Sequence, residues 1–275
     1  MKVKEIPASL YQSLKLRHGP SRPPADQAEI PVIVSLTTIE PRLPTVDLVI
    51  RSIKIQGAFP ERILLWVHES LVPLLPSKLT ELQDEVFEIR PTHLHCSHKK
   101  LIHTLSAYPE KKIITCDDDL MYRAQWLARL HEESLRFPGN IIANQTRTIK
   151  TDKEGNFLSY EQWPVDQSDL TEGSRILPIG AEGVLYPPAC LDPRFGEEDL
   201  FLELSPKADD LWFKAMSLLR GTPCRRASNS GKKAIPIMGS QKFSLKHENI
   251  KKDLNSVQWQ RLAAHFGLKE KLRTI

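Results

Sequence analysis

The chain has 275 residues, 40% of them hydrophobic and 26% charged, with 12 Gly, 21 Pro and 4 Cys. This composition excludes collagen-like, disordered and disulfide-scaffold classes, and the length allows one large core without requiring two independent domains. Net charge is +4 but uneven: Gly221 to Ile275 carries 12 Lys/Arg against 3 Asp/Glu, leaving the remainder acidic.

Residues 1–29 read as an irregular, Pro-rich lead-in with one amphipathic turn around SLYQSLKLR. The run IPVIVSLTTI, Ile30 to Ile39, is β-branched and apolar, as a strand buried on both faces requires. After EPRLP, Val46, Val49, Ile50 and Ile53 recur at helical spacing, with Thr45 placed to cap the helix. RILLWV is a second predicted strand, SKLTELQDE a helix, VFEIRP a third strand, SHKKLIHTLSAY a helix and KIITC a fourth strand. AQWLARLHEESLRF follows as a helix ended by Pro138 and Gly139, then NIIANQTRTI as a strand. The polar stretch 150–174 reads as a loop with a short hairpin, and SPKADDLWFKAMSLLRG as an amphipathic helix. Alternating strands and helices predict an α/β fold, Rossmann-like, with a mostly parallel sheet flanked by helices. Ligands of such sheets bind beyond the carboxyl ends of the strands.

Asp117, Asp118 and Asp119 follow the strand IITC, at that edge. In an extended segment Asp117 and Asp119 would share a face and Asp118 would point away. Two carboxylates so close raise each other's pKa unless a cation neutralises them; Mg²⁺ or Mn²⁺ suits such hard oxygen ligands and leaves positions for phosphate oxygens. An acidic turn or helix cap is the competing reading.

The segment IITCDDDLMYRAQWLARL resembles the Asp-x-Asp region of bacterial nucleotide-sugar glycosyltransferases with the GT-A fold, family-two-like. VIVSLTTI resembles their first strand and nucleotide-gripping loop, HKKLIHTL the basic helix before the metal motif, and GAEGVLYPP with ADDLWF the acceptor-side glycine loop and catalytic motif. The resemblance spans roughly residues 30–220 and lies in the ordered set. It implies a catalytic domain over 30–220, with a nucleotide half to about residue 125 and an acceptor half after it, followed by a basic extension, 221–275, packed on or beside it. It further implies Asp119 as metal ligand, Asp117 as ribose or metal contact, Asp118 turned to nucleotide or donor sugar, and Thr37 and Thr38 in the nucleotide loop. Lys99 or Lys100 would meet the diphosphate, Lys99 slightly preferred. Asp210 would be the base that takes the acceptor proton, with Asp209 beside it, giving inversion. Gly180, Glu182, Gly183 and Trp212 are candidate sugar contacts, as are Tyr160, Trp163 and Tyr186, each weighed against a place in the core. His247 is a weaker candidate metal ligand. His93, His95, His98 and His103 match no standard zinc set.

The expected partners are a nucleotide-sugar donor, UDP by family habit, and a glycan or lipid-linked acceptor, in bacterial surface polysaccharide synthesis. Without interleaved aromatics or a reader motif, nucleic acid is not expected. A membrane-spanning run is missing, and MKVKEIPASLYQSLKLRHGP lacks the apolar core of a secretion signal, so a cytoplasmic location is expected. The basic tail could touch anionic headgroups at the inner face of the membrane or simply be solvated. Two alternatives stand beside the transferase: a nucleotidyltransferase, against which the glycine-free SLTTIEPRLP counts, and a non-catalytic nucleotide- or glycan-binding protein.

Overall fold

A computed structural model describes residues 3–19, 28–167, 172–240 and 253–272. Helix α1 (Ile6–His18) precedes strand β1 (Glu29–Thr37), helix α2 (Val46–Lys54) and strand β2 (Phe59–His68); then come α3 (Ser77–Thr80), β3 (Phe87–Thr92), α4 (Lys99–Ala107) and β4 (Lys112–Thr115). Strand β5 (Leu120–Met121) leads to α5 (Trp126–Arg136), β6 (Ile141–Ala143), β7 (Thr146–Thr148), β8 (Glu172–Gly173), β9 (Ile176–Pro178) and β10 (Val184–Tyr186). The chain ends through α6 (Glu198–Leu204), α7 (Asp209–Arg220), β11 (Cys224–Arg226), β12 (Ile235–Pro236), α8 (Leu254–Phe266) and α9 (Leu268–Lys271).

The main sheet has the order β3-β2-β1-β4-β10-β6-β11-β8. Strands β3, β2, β1 and β4 are mutually parallel, and β10 runs antiparallel between β4 and β6. This is the mostly parallel, Rossmann-like α/β sheet that the alternating sequence pattern predicts. Its strands are apolar on both faces because both faces are covered. Val32, Val34 and Leu36 point into one core with α2, α5 and Leu16 of α1; Ile33, Trp66, Ile113 and Val184 point into the other with α4, α7 and α8. Each such side chain, fully buried, stabilises the fold by about 1.5–3 kcal/mol.

Four local expectations change, the first in the lead-in, where the 13-residue helix α1 stands in place of a single amphipathic turn. Thr45 does not cap α2; its hydroxyl donates to the Arg42 carbonyl. The helix expected from SKLTELQDE is the single turn α3, because the Asp84 side chain accepts the Val86 and Phe87 amides and Gln83 that of Ile89, bending the chain into β3. NIIANQTRTI divides at Asn144 into β6 in the main sheet and β7, which pairs with β9. The short hairpin expected in 150–174 is present as the bridge Thr151–Phe157, followed by a 3-10 turn at Tyr160–Gln162 with a Ser159/Gln162 capping box.

Beyond residue 220, β11 lies inside the main sheet, parallel to β6, and Trp259 and Leu262 of α8 enter the core beside Trp163. Several basic residues there are paired: Arg225 with Glu172 and Glu133, Arg226 with Asp166. Among the described residues no helix is long and apolar enough to cross a membrane.

Candidate active site

The carboxyl ends of β1 and β4 carry the two segments on which the site is built. Beyond β1 a 3-10 turn at Glu40–Arg42 brings Arg42 over the aspartates. Beyond β4 the chain leaves the strand at Cys116, and Asp118 and Asp119 occupy a turn. A turn breaks the two-residue alternation, so the grouping differs from the strand-based expectation. Asp118 and Asp119 share the Arg42 guanidinium, Asp119 Oδ2 lying 3.0 Å from Nη2, and Thr38 donates to Asp118 at 2.6 Å. Asp117 points instead to Lys100, 3.2 Å away, and is the most open of the three, its side chain 35% exposed.

Because β10 is antiparallel, its beginning lies at the same sheet edge. The turn Gly180–Glu182 that precedes it therefore meets the aspartates. Tyr122 locks the two together: its hydroxyl accepts the Asp117 amide at 2.9 Å and donates to the Ala181 carbonyl at 2.8 Å. The first turn of α7 closes the site. Both Asp210 oxygens accept the Gly180 amide, at 3.1 and 3.2 Å, and Asp209 accepts the Ser97 hydroxyl at 2.8 Å.

Lys100 is the centre of this arrangement. Its ammonium lies 3.0 Å from Asp209 Oδ2 as well as 3.2 Å from Asp117, with Gly180 directly beneath. Burial opposes its charge, yet Asp209, Asp117 and Asp210 together hold its pKa well above the ordinary lysine value. The same lysine separates the two carboxylates of α7. Burial would neutralise Asp209, but Lys100 and Ser97 keep it below the usual carboxylate range. Asp210 is pushed up to about 7 by burial and then by the Asp209 charge. Neighbouring carboxylates with opposed shifts are a feature of acid–base sites. Burial and Asp117 likewise raise Asp119 to about 7.

No protein-family model matches the chain, and no curated protein matches it. Among solved structures it is similar to a 4-diphosphocytidyl-2C-methyl-D-erythritol synthase from Anaerococcus prevotii DSM 20548, at 12% identity over 84% of this chain and 96% of that one, with a TM-score of 0.48. It is also similar to a CMP:2-keto-3-deoxy-manno-octonic acid synthetase in complex with CTP, at 9% identity over 73% and 89% of the two chains, with a TM-score of 0.38.

Several candidate residues fall away from the site. Trp212 is fully buried, its indole N–H donating to the Phe195 carbonyl and its ring against Phe201 and Phe266, so it belongs to the core and cannot stack on a sugar. Trp163 is a core residue for the same reason and Tyr160 packs on it, while Tyr186, although near Asp210 and Lys100, is buried against Phe213. Lys99, preferred over Lys100 in the sequence, is buried and donates to the Leu94 carbonyl; successive helical residues diverge by about 100°, so only one of the pair reaches the aspartates. The Thr37 hydroxyl donates to the Trp66 carbonyl. Glu182 accepts the Ala234 amide with its carboxylate, while its carbonyl accepts the Trp126 indole N–H and the Asn144 side chain. His247 lies outside the described residues.

Arg42 and Tyr122 are the residues that sequence reasoning missed. Arg42 stood in view between two prolines in a loop after the first strand, and Tyr122 inside the quoted DDDLMY, but neither belongs to a spacing pattern. As for a metal, carboxylate oxygens are the donors that Mg²⁺ or Mn²⁺ takes, but Asp119 is paired with Arg42 and Asp117 with Lys100, so a cation would have to displace both ion pairs. Asp117 and Asp119 are the residues that would hold it. Among the described residues no third ligating side chain joins them.

Gly183 has φ +99°, and a β-carbon there would sit 2.7 Å from the Trp126 ring. Gly183→Ala is expected to destabilise the protein by about 1–3 kcal/mol, from backbone strain and overpacking. Urea denaturation of the two forms measures this directly; equal midpoints would mean that the turn tolerates a side chain.

Proposed function

We propose that the chain is a metal-dependent glycosyltransferase that moves a sugar from a nucleotide-sugar donor, a UDP-sugar by resemblance, to a hydroxyl of a glycan or lipid-linked acceptor. The observation that carries this reading is Asp210: a half-buried carboxylate with its pKa pushed up to about 7, set on the Gly180 amide beside Asp209, which Lys100 in turn links to Asp117. In this reading Asp210 removes the acceptor proton, the acceptor oxygen bonds to the anomeric carbon, and the bond from that carbon to the nucleotide diphosphate breaks on the opposite face, inverting the configuration. A divalent cation held by Asp117 and Asp119 would supply Lewis-acid stabilisation of the leaving diphosphate. Lys100 keeps Asp209 ionised, so Asp210 is the carboxylate of the pair whose affinity for a proton suits a base. Arg42 fixes Asp118 and Asp119 and adds positive charge where a diphosphate would come.

Nucleotidyl transfer is the competing reading. The stretch Ser35 to Arg42, which has no glycine for a phosphate loop, counts against it. A thermal-shift panel of UDP, GDP, CMP and CTP and their sugars, with and without Mn²⁺, tests the reading on the wild type and Asp119→Ala. The expected result is metal-dependent stabilisation by one nucleotide diphosphate and its sugar, of about 2.7 kcal/mol at 100 times Kd, lost in the variant. Failure of every nucleotide to stabilise the wild type sinks the reading. Release of pyrophosphate from a nucleoside triphosphate, without release of nucleotide from a sugar donor, would replace it with nucleotidyl transfer.

A further inference from the structure

We infer that helix α1 docks on the surface of a bilayer containing anionic lipid. The helix is apolar on two opposite sides. Leu16 and Ser9 face the protein and are buried, with Leu16 in the core beneath α2. On the outer side Pro7, Leu10, Tyr11 and Leu14 follow the i, i+3, i+4, i+7 spacing of one helical stripe, and Leu10, Tyr11 and Leu14 are 43%, 69% and 57% exposed.

Charge selects the occupant of this face. Lys4, Lys15, Arg17 and His18 are exposed around it, and Ile6–His18 contains no acidic residue. A second copy of the chain placed on the stripe about a two-fold axis would set these cations against themselves, because an isologous contact brings one patch onto itself. An anionic membrane surface attracts the same cations, whose long side chains can stay at headgroup level while the leucines enter the acyl boundary. Tyrosine, with an apolar ring and a polar tip, suits that depth.

A cavity of about 150 Å³ opens next to the helix, lined by Lys15, Gln12, Tyr122 and Arg123 among others, and no carboxylate is in its lining. Two cations at the lining of a small cavity beside the helix suit the phosphate of a lipid headgroup. The cavity lies behind the aspartate turn: Tyr122 reaches both, and the Ser13 hydroxyl of α1 contacts the Met121 sulfur at 3.7 Å. A membrane-bound α1 therefore holds the site close to the lipid surface. The inference rests on α1 itself and stands apart from the identity of the transferred group.

Co-sedimentation of the full chain with vesicles of phosphatidylcholine, with and without about 30 mol% phosphatidylglycerol, tests it. Binding is expected only to the anionic vesicles and should weaken as ionic strength rises from about 0.1 M to about 0.5 M. Leu14→Glu and the double variant Lys15→Glu/Arg17→Glu should each reduce partitioning at least about tenfold. All these positions are exposed, and unchanged thermal unfolding would show that the fold persists. Asp210→Asn should bind vesicles normally, which separates this result from any failure of the transfer reading. No binding to anionic vesicles overturns the inference, as does full binding by either α1 variant, which would move the contact to the basic segment after residue 220. Light scattering that shows a dimer dispersed by Leu14→Glu would also overturn it and assign the face to a second copy.

Discussion

Asp210→Asn is expected to lower kcat for sugar transfer by about 10²–10⁴-fold while leaving nucleotide affinity unchanged. The amide keeps the size of the carboxylate and its oxygen can still accept the Gly180 amide, so the turn stays in place; what disappears is the capacity to take a proton. The pH profile gives an independent reading. A base must be ionised to act, and with the Asp210 pKa pushed up to about 7 its activity is lost as pH falls through that value, about tenfold per pH unit. The wild type should therefore rise through neutral pH and level off above it, and the residual activity of the variant should lack that limb. Turnover equal to wild type would remove Asp210 from the chemistry. A wild-type profile flat from pH 5 to 8 would remove its titration from the mechanism.

Lys100→Met is expected to be the most damaging single change to the fold, at about 3–5 kcal/mol, the usual consequence of breaking a buried ion pair by removing one partner. Methionine fills the stem but leaves Asp209 and Asp117 without their cation and Asp210 beside an uncompensated charge. The pH dependence of this loss has a definite sign. In the wild type Asp209 is held below its unfolded value, so its pairing stabilises the fold above the unfolded carboxylate pKa and is lost in acid. In the variant burial, the largest influence on Asp209, is opposed only by Ser97 and His98, so the folded-state pKa is expected to rise above the unfolded one and stability to fall as pH increases. The gap between wild type and variant, measured by urea denaturation, should be widest near pH 8 and narrow toward pH 4. A gap that is constant across that range would mean that Lys100 acts through packing alone.

The sheet was legible because its strands are continuous apolar runs separated by helical periodicity, and DDD was legible because it ends one of those runs. The grouping of the three aspartates was not. It depends on the chain leaving the strand at Cys116, and alternation holds only while the backbone is extended. Arg42 meets Asp118 across 76 residues and Tyr122 meets Ala181 across 59; no local spacing encodes either pairing. Trp212 shows the converse difficulty. A tryptophan two residues after Asp210 reads the same in sequence whether it faces a sugar or the core, and here Phe195, Phe201 and Phe266 surround it. The basic composition after residue 220 concealed a sheet strand and a core helix, since charge totals say nothing about Cys224 or Trp259.

Strand β10 has only three residues, and Val184, Leu185 and Tyr186 stand opposite Thr115, Ile114 and Ile113. It works as a ruler between two loops. One residue added or removed in it would turn Leu185 out of its core and shift the Gly180 amide by about 3.4 Å relative to the aspartate turn, beyond hydrogen-bond reach of Asp210. Folding and the geometry of the proposed site are thus calibrated by the same three residues.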